Sequence, residues 1–109
     1  MTSSQTNRRL TARLACQLIV SYRCAKDWHP ATAMDLSQNG CRLRLGEDLA
    51  RGRSLTVRFR HGGKHAADPL SAEVPGTVIW CRLEGLSHQA GVHFSAEPPE
   101  LQAILLALG

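Results

Sequence analysis

Residues 35–45 read Asp35-Leu36-Ser37-Gln38-Asn39-Gly40-Cys41-Arg42-Leu43-Arg44-Leu45, and the second half of that run alternates apolar and basic residues without a break. Alternation with a period of two marks a strand with one buried and one wet face. Just before it, Gln38-Asn39-Gly40 is a turn signal, because Asn-Gly takes positive φ at low cost. Upstream, His29 to Leu36 reads as a second extended stretch, entered through Trp28-His29-Pro30. The two strands are expected to pair as a hairpin about that turn.

Working outward, Leu14 to Arg23 (LACQLIVSYR) is rich in β-branched and apolar residues and reads as a strand. Leu49 to Arg53 is a short connection containing Gly52. Ser54 to Arg60 alternates again, with Leu55, Val57 and Phe59 on one face and Thr56, Arg58 and Arg60 on the other. His61-Gly62-Gly63-Lys64-His65 reads as a flexible loop. Leu70 to Arg82 is a long extended segment, expected to break at Pro75-Gly76 in a bulge or edge bend. It ends in Thr77-Val78-Ile79-Trp80-Cys81, and Gln89 to Ser95 supplies the last strand.

The C-terminus changes character. Pro98 and Pro99 suit a first helical turn, and Glu100 suits the positive end of the helix dipole. Leu101, Ile104, Leu105 and Leu108 then recur at helical spacing and give one apolar stripe. So short a helix needs packing to persist, and it is expected to lie as a lid over one open end of the β structure. Six strands at regular spacing, parted by Gly, Pro and Asn turns, argue for an all-β domain, a small barrel or sandwich. The expected organisation is one domain over 14–109 preceded by an arginine segment over 1–13, flexible until something orders it.

The chain has 109 residues, enough for one domain and for a core that needs no staples. No apolar run approaches the roughly 20 residues that cross a bilayer. The basic, polar start lacks the apolar centre of a secretory signal, so the cytoplasm is the expected compartment and no membrane insertion is expected. Of the 13 basic residues all but Lys26 and Lys64 are arginine. Arginine presents a planar fork suited to phosphate and guanine edges, so the bias favours specific anion recognition over a solvated coat. Cys16, Cys24, Cys41 and Cys81 form no Cys-x-x-Cys pair and read as buried or partly buried thiols rather than zinc ligands. His61 and His65 lie four apart in a Gly-Gly loop, a poor frame for a metal, and no cofactor is expected.

Two further patterns stand at strand boundaries. Arg9-Leu10-Thr11-Ala12-Arg13 has the spacing Arg-x-x-x-Arg just ahead of the first strand. Asp35-Leu36-Ser37-Gln38-Asn39-Gly40 has the spacing Asp-x-Ser-x-x-Gly at the turn between the second and third strands. In that order they resemble the paired signature of the PilZ domain, a bacterial receptor for cyclic di-GMP. The Val78-Ile79-Trp80 run, the Gly91-Val92-His93-Phe94 strand and the terminal helix follow the same family's course. The resemblance implies a small six-stranded antiparallel split β-barrel with a short C-terminal α-helix. It also implies a ligand site formed by Arg9, Arg13, Asp35, Ser37 and Gly40.

The chemistry of the residues agrees with that implication. A guanine offers O6 and N7 as adjacent acceptors for an arginine fork, and guanidinium planes stack on bases and pair with phosphates. Asp35 can accept from the guanine N1–H and N2–H₂ edge, and Ser37 can donate or accept at the turn. Gly40, without a Cβ, permits positive φ or a close approach of ligand to backbone. The simpler alternative is that Asp35 and Ser37 only cap the turn through side-chain-to-backbone bonds. Arg42 and Arg44 read as a solvated strand face, with reach to a phosphate, and Trp80 as core or rim. In the family, the residue before the arginine pair is associated with stoichiometry, so Arg8 implies two ligand molecules per chain.

The implied function is a receptor or adaptor that changes conformation on binding cyclic di-GMP and signals to a protein effector the chain does not identify. One rival is a ligand-independent interaction domain, although relatives of that kind usually lack the signature arginines. Another is a barrel that grips single-stranded nucleic acid. Phe59 and Phe94 fall on the apolar phase of their strands, which removes the stacking platform such a partner needs. No nucleophile, base and orienting group are suggested together, so an enzyme is not expected.

Overall fold

A computed structural model describes residues 12–62 and 70–108. Six strands are followed by one helix: β1 (Leu14–Arg23), β2 (His29–Leu36), β3 (Gly40–Leu45), β4 (Ser54–His61), β5 (Leu70–Glu84), β6 (Ser87–Phe94) and α1 (Pro99–Leu108). Every strand pair is antiparallel, and the order β1-β2-β3-β6-β5-β4 closes into a barrel. The seam is short, since β1 meets β4 only through Ser21, Tyr22 and Arg23. This is the expected six-stranded barrel.

Alternation sets the inside. Leu43 and Leu45 from β3, Leu55, Val57 and Phe59 from β4, and Ala90, Val92 and Phe94 from β6 are all buried. Phe59 and Phe94 meet edge-to-face at 6.0 Å, a geometry that aligns one ring's positive edge with the other's negative face. Helix α1 packs on β5 and β4, and its Leu101, Ile104 and Leu105 join the same core. Each such side chain contributes about 2 kcal/mol by leaving water, which is why so short a helix holds. No described helix is long and apolar enough to cross a membrane.

Two local expectations need correction. Strand β5 does not break at Pro75-Gly76; it pairs with β4 straight through, Pro75 opposite Thr56 and Gly76 opposite Leu55. In an antiparallel strand a residue's N–H and C=O point the same way. The Pro75 carbonyl accepts from Ser95 just past the end of β6, so the missing N–H faces a place where the ladder has already stopped. The irregularity falls instead between Val78 and Trp80, in the pairing with β6. The second correction concerns Gly40, which does not have positive φ; among the described residues that conformation belongs to Gly52, Gly62 and Gly85. Gly52, at φ 89°, donates to the Val78 carbonyl and ties the β3–β4 connection to β5.

Candidate functional site

The β2–β3 turn is built by Ser37. Its backbone N–H donates to the Gly40 carbonyl at 2.9 Å, its hydroxyl donates to the same carbonyl at 3.3 Å, and its Oγ accepts from the Asn39 N–H at 3.2 Å. The side chain is buried, the one polar residue so placed among the described residues. Gly40 is needed for space. A Cβ there would lie 2.2 Å from the Val92 carbonyl oxygen, so β3 approaches β6 too closely for any side chain. The Asn39 carbonyl accepts from Phe94 N–H and carries the turn onto the end of β6. Ser37 and Gly40 therefore serve architecture first.

Asp35 lies one turn-width away, on the outer face of β2. Arg13, immediately before β1, donates from Nη1 to Asp35 Oδ1 at 2.9 Å. Arg42 Nε stands 3.4 Å from the other carboxylate oxygen, an ionic contact without hydrogen-bond geometry. The Asp35 side chain is only 13% exposed while Arg13 is 58% exposed, so the carboxylate is fixed and the guanidinium of Arg13 faces solvent. The spacing of the two half-motifs thus becomes a contact: Arg13 and Asp35 meet. Arg8 and Arg9 lie outside the described residues.

Arg42, expected on a solvated strand face with reach to a phosphate, stands 39% exposed on that face and beside Asp35. The register makes the reason clear. Asp35 pairs with Arg42, Arg42 with Gly91, and Gly91 with Trp80, one cross-strand row on the outside of the barrel. Directly paired residues of an antiparallel ladder present their side chains on the same face. The Trp80 indole lies over Gly91, where a Cβ would be 2.2 Å from Nε1, and Arg82 covers the ring at 5.1 Å. Gly91 is consequently buried although it points outward. The outward phase of Arg42, two residues past Gly40, was the available signal.

Four thiols are free. Cys41 is fully enclosed beneath the turn, and burial raises its pKa far above the ordinary thiol value. Cys16 is half-buried; burial and then the neighbouring Asp35 charge raise its thiol as well. Among the described residues no group of three or more His, Cys, Asp or Glu is placed to hold a metal ion.

An outer face that combines a fixed carboxylate, two guanidiniums and an indole laid flat on the sheet suits a planar, anionic heterocycle. The comparisons agree on the class. The PilZ domain model matches residues 7–108, and the chain belongs to the PilZ domain family. No curated protein is similar enough in sequence to count as a relative.

Among solved structures, the inhibitor of motility MotI/DgrA of Bacillus subtilis superposes with a TM-score of 0.73 at 17% identity, over 88% of this chain and 47% of that one. A tetrameric PilZ domain protein of Xanthomonas campestris, self-assembled through a helical bundle, gives 0.66 at 13% identity over 97% and 92%. The PlzA protein of Borreliella burgdorferi, in complex with c-di-GMP, gives 0.59 at 12% identity over 99% and 57%. The chain thus spans about half the length of the Bacillus and Borreliella proteins, and at these identities the likeness is one of fold.

Proposed function

We propose that this chain is a cyclic di-GMP receptor whose ligand settles on the outer face of β2 and β3, between Arg13 and the Asp35–Gly40 turn. The observation that carries the reading is the Asp35 carboxylate, held by Arg13 on one side and Arg42 on the other. Its single negative charge is shared between two guanidiniums, so the corner keeps a net positive charge. A guanine edge donates two N–H groups to such a carboxylate, which frees Arg13 for the base's O6 and N7 or for a phosphate oxygen. Arg9 and Arg8, four and five residues earlier in the chain, add two further forks. The position of Arg8 just before the pair, which the family resemblance associates with stoichiometry, supports a stacked pair of ligands, two molecules per chain.

Ordering of the arginine segment over the barrel presents a new surface to a protein effector. That is the adaptor role the family supports. Calorimetric titration of cyclic di-GMP into the native chain, Arg13→Ala and Asp35→Ala is the direct test. Saturable binding by the native chain and binding at least about tenfold weaker in both variants are expected; equal binding by all three, or by none, would refute the site. A native stoichiometry of one ligand per chain would remove the role given to Arg8.

A further inference from the structure

A groove of about 360 Å³ runs over the far side of the barrel, where the end of β1 meets β4, β5 and the residue after β6. Ser54 and Thr56 reach it from β4, Thr77 from β5 and Ser95 from beyond β6, with Arg23 at the rim. No lining residue is acidic. The ladder explains the convergence: Ser54 pairs with Thr77 and Thr56 with Pro75, so the hydroxyl-bearing positions share the outer face while Leu55 and Val57 turn inward. Arg23 stands ten residues along the chain from Arg13, about 33 Å of extended strand. The groove is therefore separate from the Asp35 corner.

The state of Arg23 gives the groove its chemistry. Its guanidinium lies 4.7 Å from the centre of the Trp28 ring, and Arg58 covers the same indole at 3.8 Å. Arg58 is neutralised by Glu73 at 3.5 Å, whereas Arg23 has no carboxylate within ion-pair distance among the described residues. Trp28 thus positions the Arg23 fork through its π face and leaves the charge unmatched. An arginine without a carboxylate partner, lining one groove with four hydroxyl-bearing residues from three segments, calls for an anion with acceptors in several directions. A carboxylate has two oxygens in one plane; a phosphoryl group has three in a tetrahedron.

We infer that this groove binds the phosphoryl group of a small phosphate monoester, with Arg23 as its cation and Thr56, Thr77 and Ser95 as hydroxyl donors. The volume, within the range of small-molecule sites, leaves room for a short polar body beyond the phosphate.

The test is an amide chemical-shift titration of the full chain with inorganic phosphate, glycerol 3-phosphate, glycerol and chloride at matched ionic strength. Both phosphates are expected to give saturable shifts at Arg23, Thr56, Thr77 and Ser95, with dissociation constants on the order of 1 mM; glycerol and chloride should give none. Arg23→Gln should weaken binding roughly tenfold, and Thr77→Val, which keeps the side-chain shape, roughly threefold. Thr77→Val serves as the arbiter should Arg23→Gln fail to fold. Shifts shared by chloride, shifts confined to Arg13, Asp35 and Arg42, or unchanged binding in a folded variant would overturn the site. Cyclic di-GMP titration of Arg23→Gln should match the native chain, so this result stands apart from that of the Asp35 corner.

Discussion

Ser37 and Gly40 are enclosed by backbone on every side that matters, while Arg13 touches the barrel through one carboxylate. The two halves of the signature therefore do different physical work. The turn half is structural whether or not a ligand is present: Ser37 closes the turn and Gly40 admits the Val92 carbonyl. The arginine half contributes charge at the surface and almost nothing to the core. The difference teaches that a motif residue can be indispensable for two reasons, and only measurements of both stability and binding tell them apart.

Gly40→Ala should break the turn half most severely. The added Cβ meets a backbone carbonyl that cannot rotate away, so β3 and β6 must separate. A loss of about 3 kcal/mol is expected, seen as a fall in thermal midpoint of about 12 °C by circular dichroism. A midpoint within a degree or two of native would mean that the strands can part freely. Asp35→Ala comes next and acts on binding: removing the carboxylate should weaken cyclic di-GMP by about thirtyfold, some 2 kcal/mol, because both guanidiniums lose the group that orients them.

Alkali should loosen the turn half from beneath. Burial holds the Cys41 thiol protonated in the folded chain, with its pKa raised. Above the ordinary thiol value of about 8.5 the unfolded chain releases that proton and the folded chain does not. The unfolded state then binds fewer protons, so stability falls as pH rises, by about 1.4 kcal/mol per unit for this thiol. Urea midpoints measured across the alkaline range for the native chain and Cys41→Ala should diverge, the variant losing less. Parallel curves would show that Cys41 ionises in place.

Ser37→Ala is smaller, about 1 kcal/mol, because it forfeits hydroxyl bonds at the turn while the backbone bond from Ser37 to Gly40 survives. Guanidinium denaturation would register it as a lowered midpoint with an unchanged slope.

Much of this was legible in the sequence because alternation has a fixed period. Leu55, Val57 and Phe59, or Ala90, Val92 and Phe94, could face only one way once their strands were recognised. Asp35 and Arg13 were brought together in the sequence only by the resemblance to the PilZ signature, and the structure makes them a contact. What stayed hidden depended on which strands lie side by side. Gly40 does not take the positive φ that its turn suggested, and its constraint comes from β6, some 50 residues on. Arg42 does stand on an outward strand face, 39% exposed, but its neighbours, Asp35 across one ladder and Gly91 beneath Trp80 across the other, were not legible. Local pattern gives the face of a strand and says nothing of its neighbours. Pro75 shows the converse, since a residue usually barred from strand interiors sits at ease where β6 has ended.

Arg13→Ala carries the smallest expected change in stability and separates the halves most cleanly. Its side chain is 58% exposed and makes one surface ion pair, so its removal should shift the unfolding free energy by less than about 0.5 kcal/mol. Arg42 remains on Asp35 and keeps the carboxylate partly neutralised. Cyclic di-GMP binding should nevertheless fall by at least about tenfold, because a charge-assisted fork has no substitute at that end of β1. Paired thermal melts and calorimetry on this one variant give both numbers. A stable, non-binding protein would place the arginine half in recognition alone; a destabilised one would mean that the Arg13–Asp35 pair belongs to the barrel as fully as Ser37 and Gly40 do.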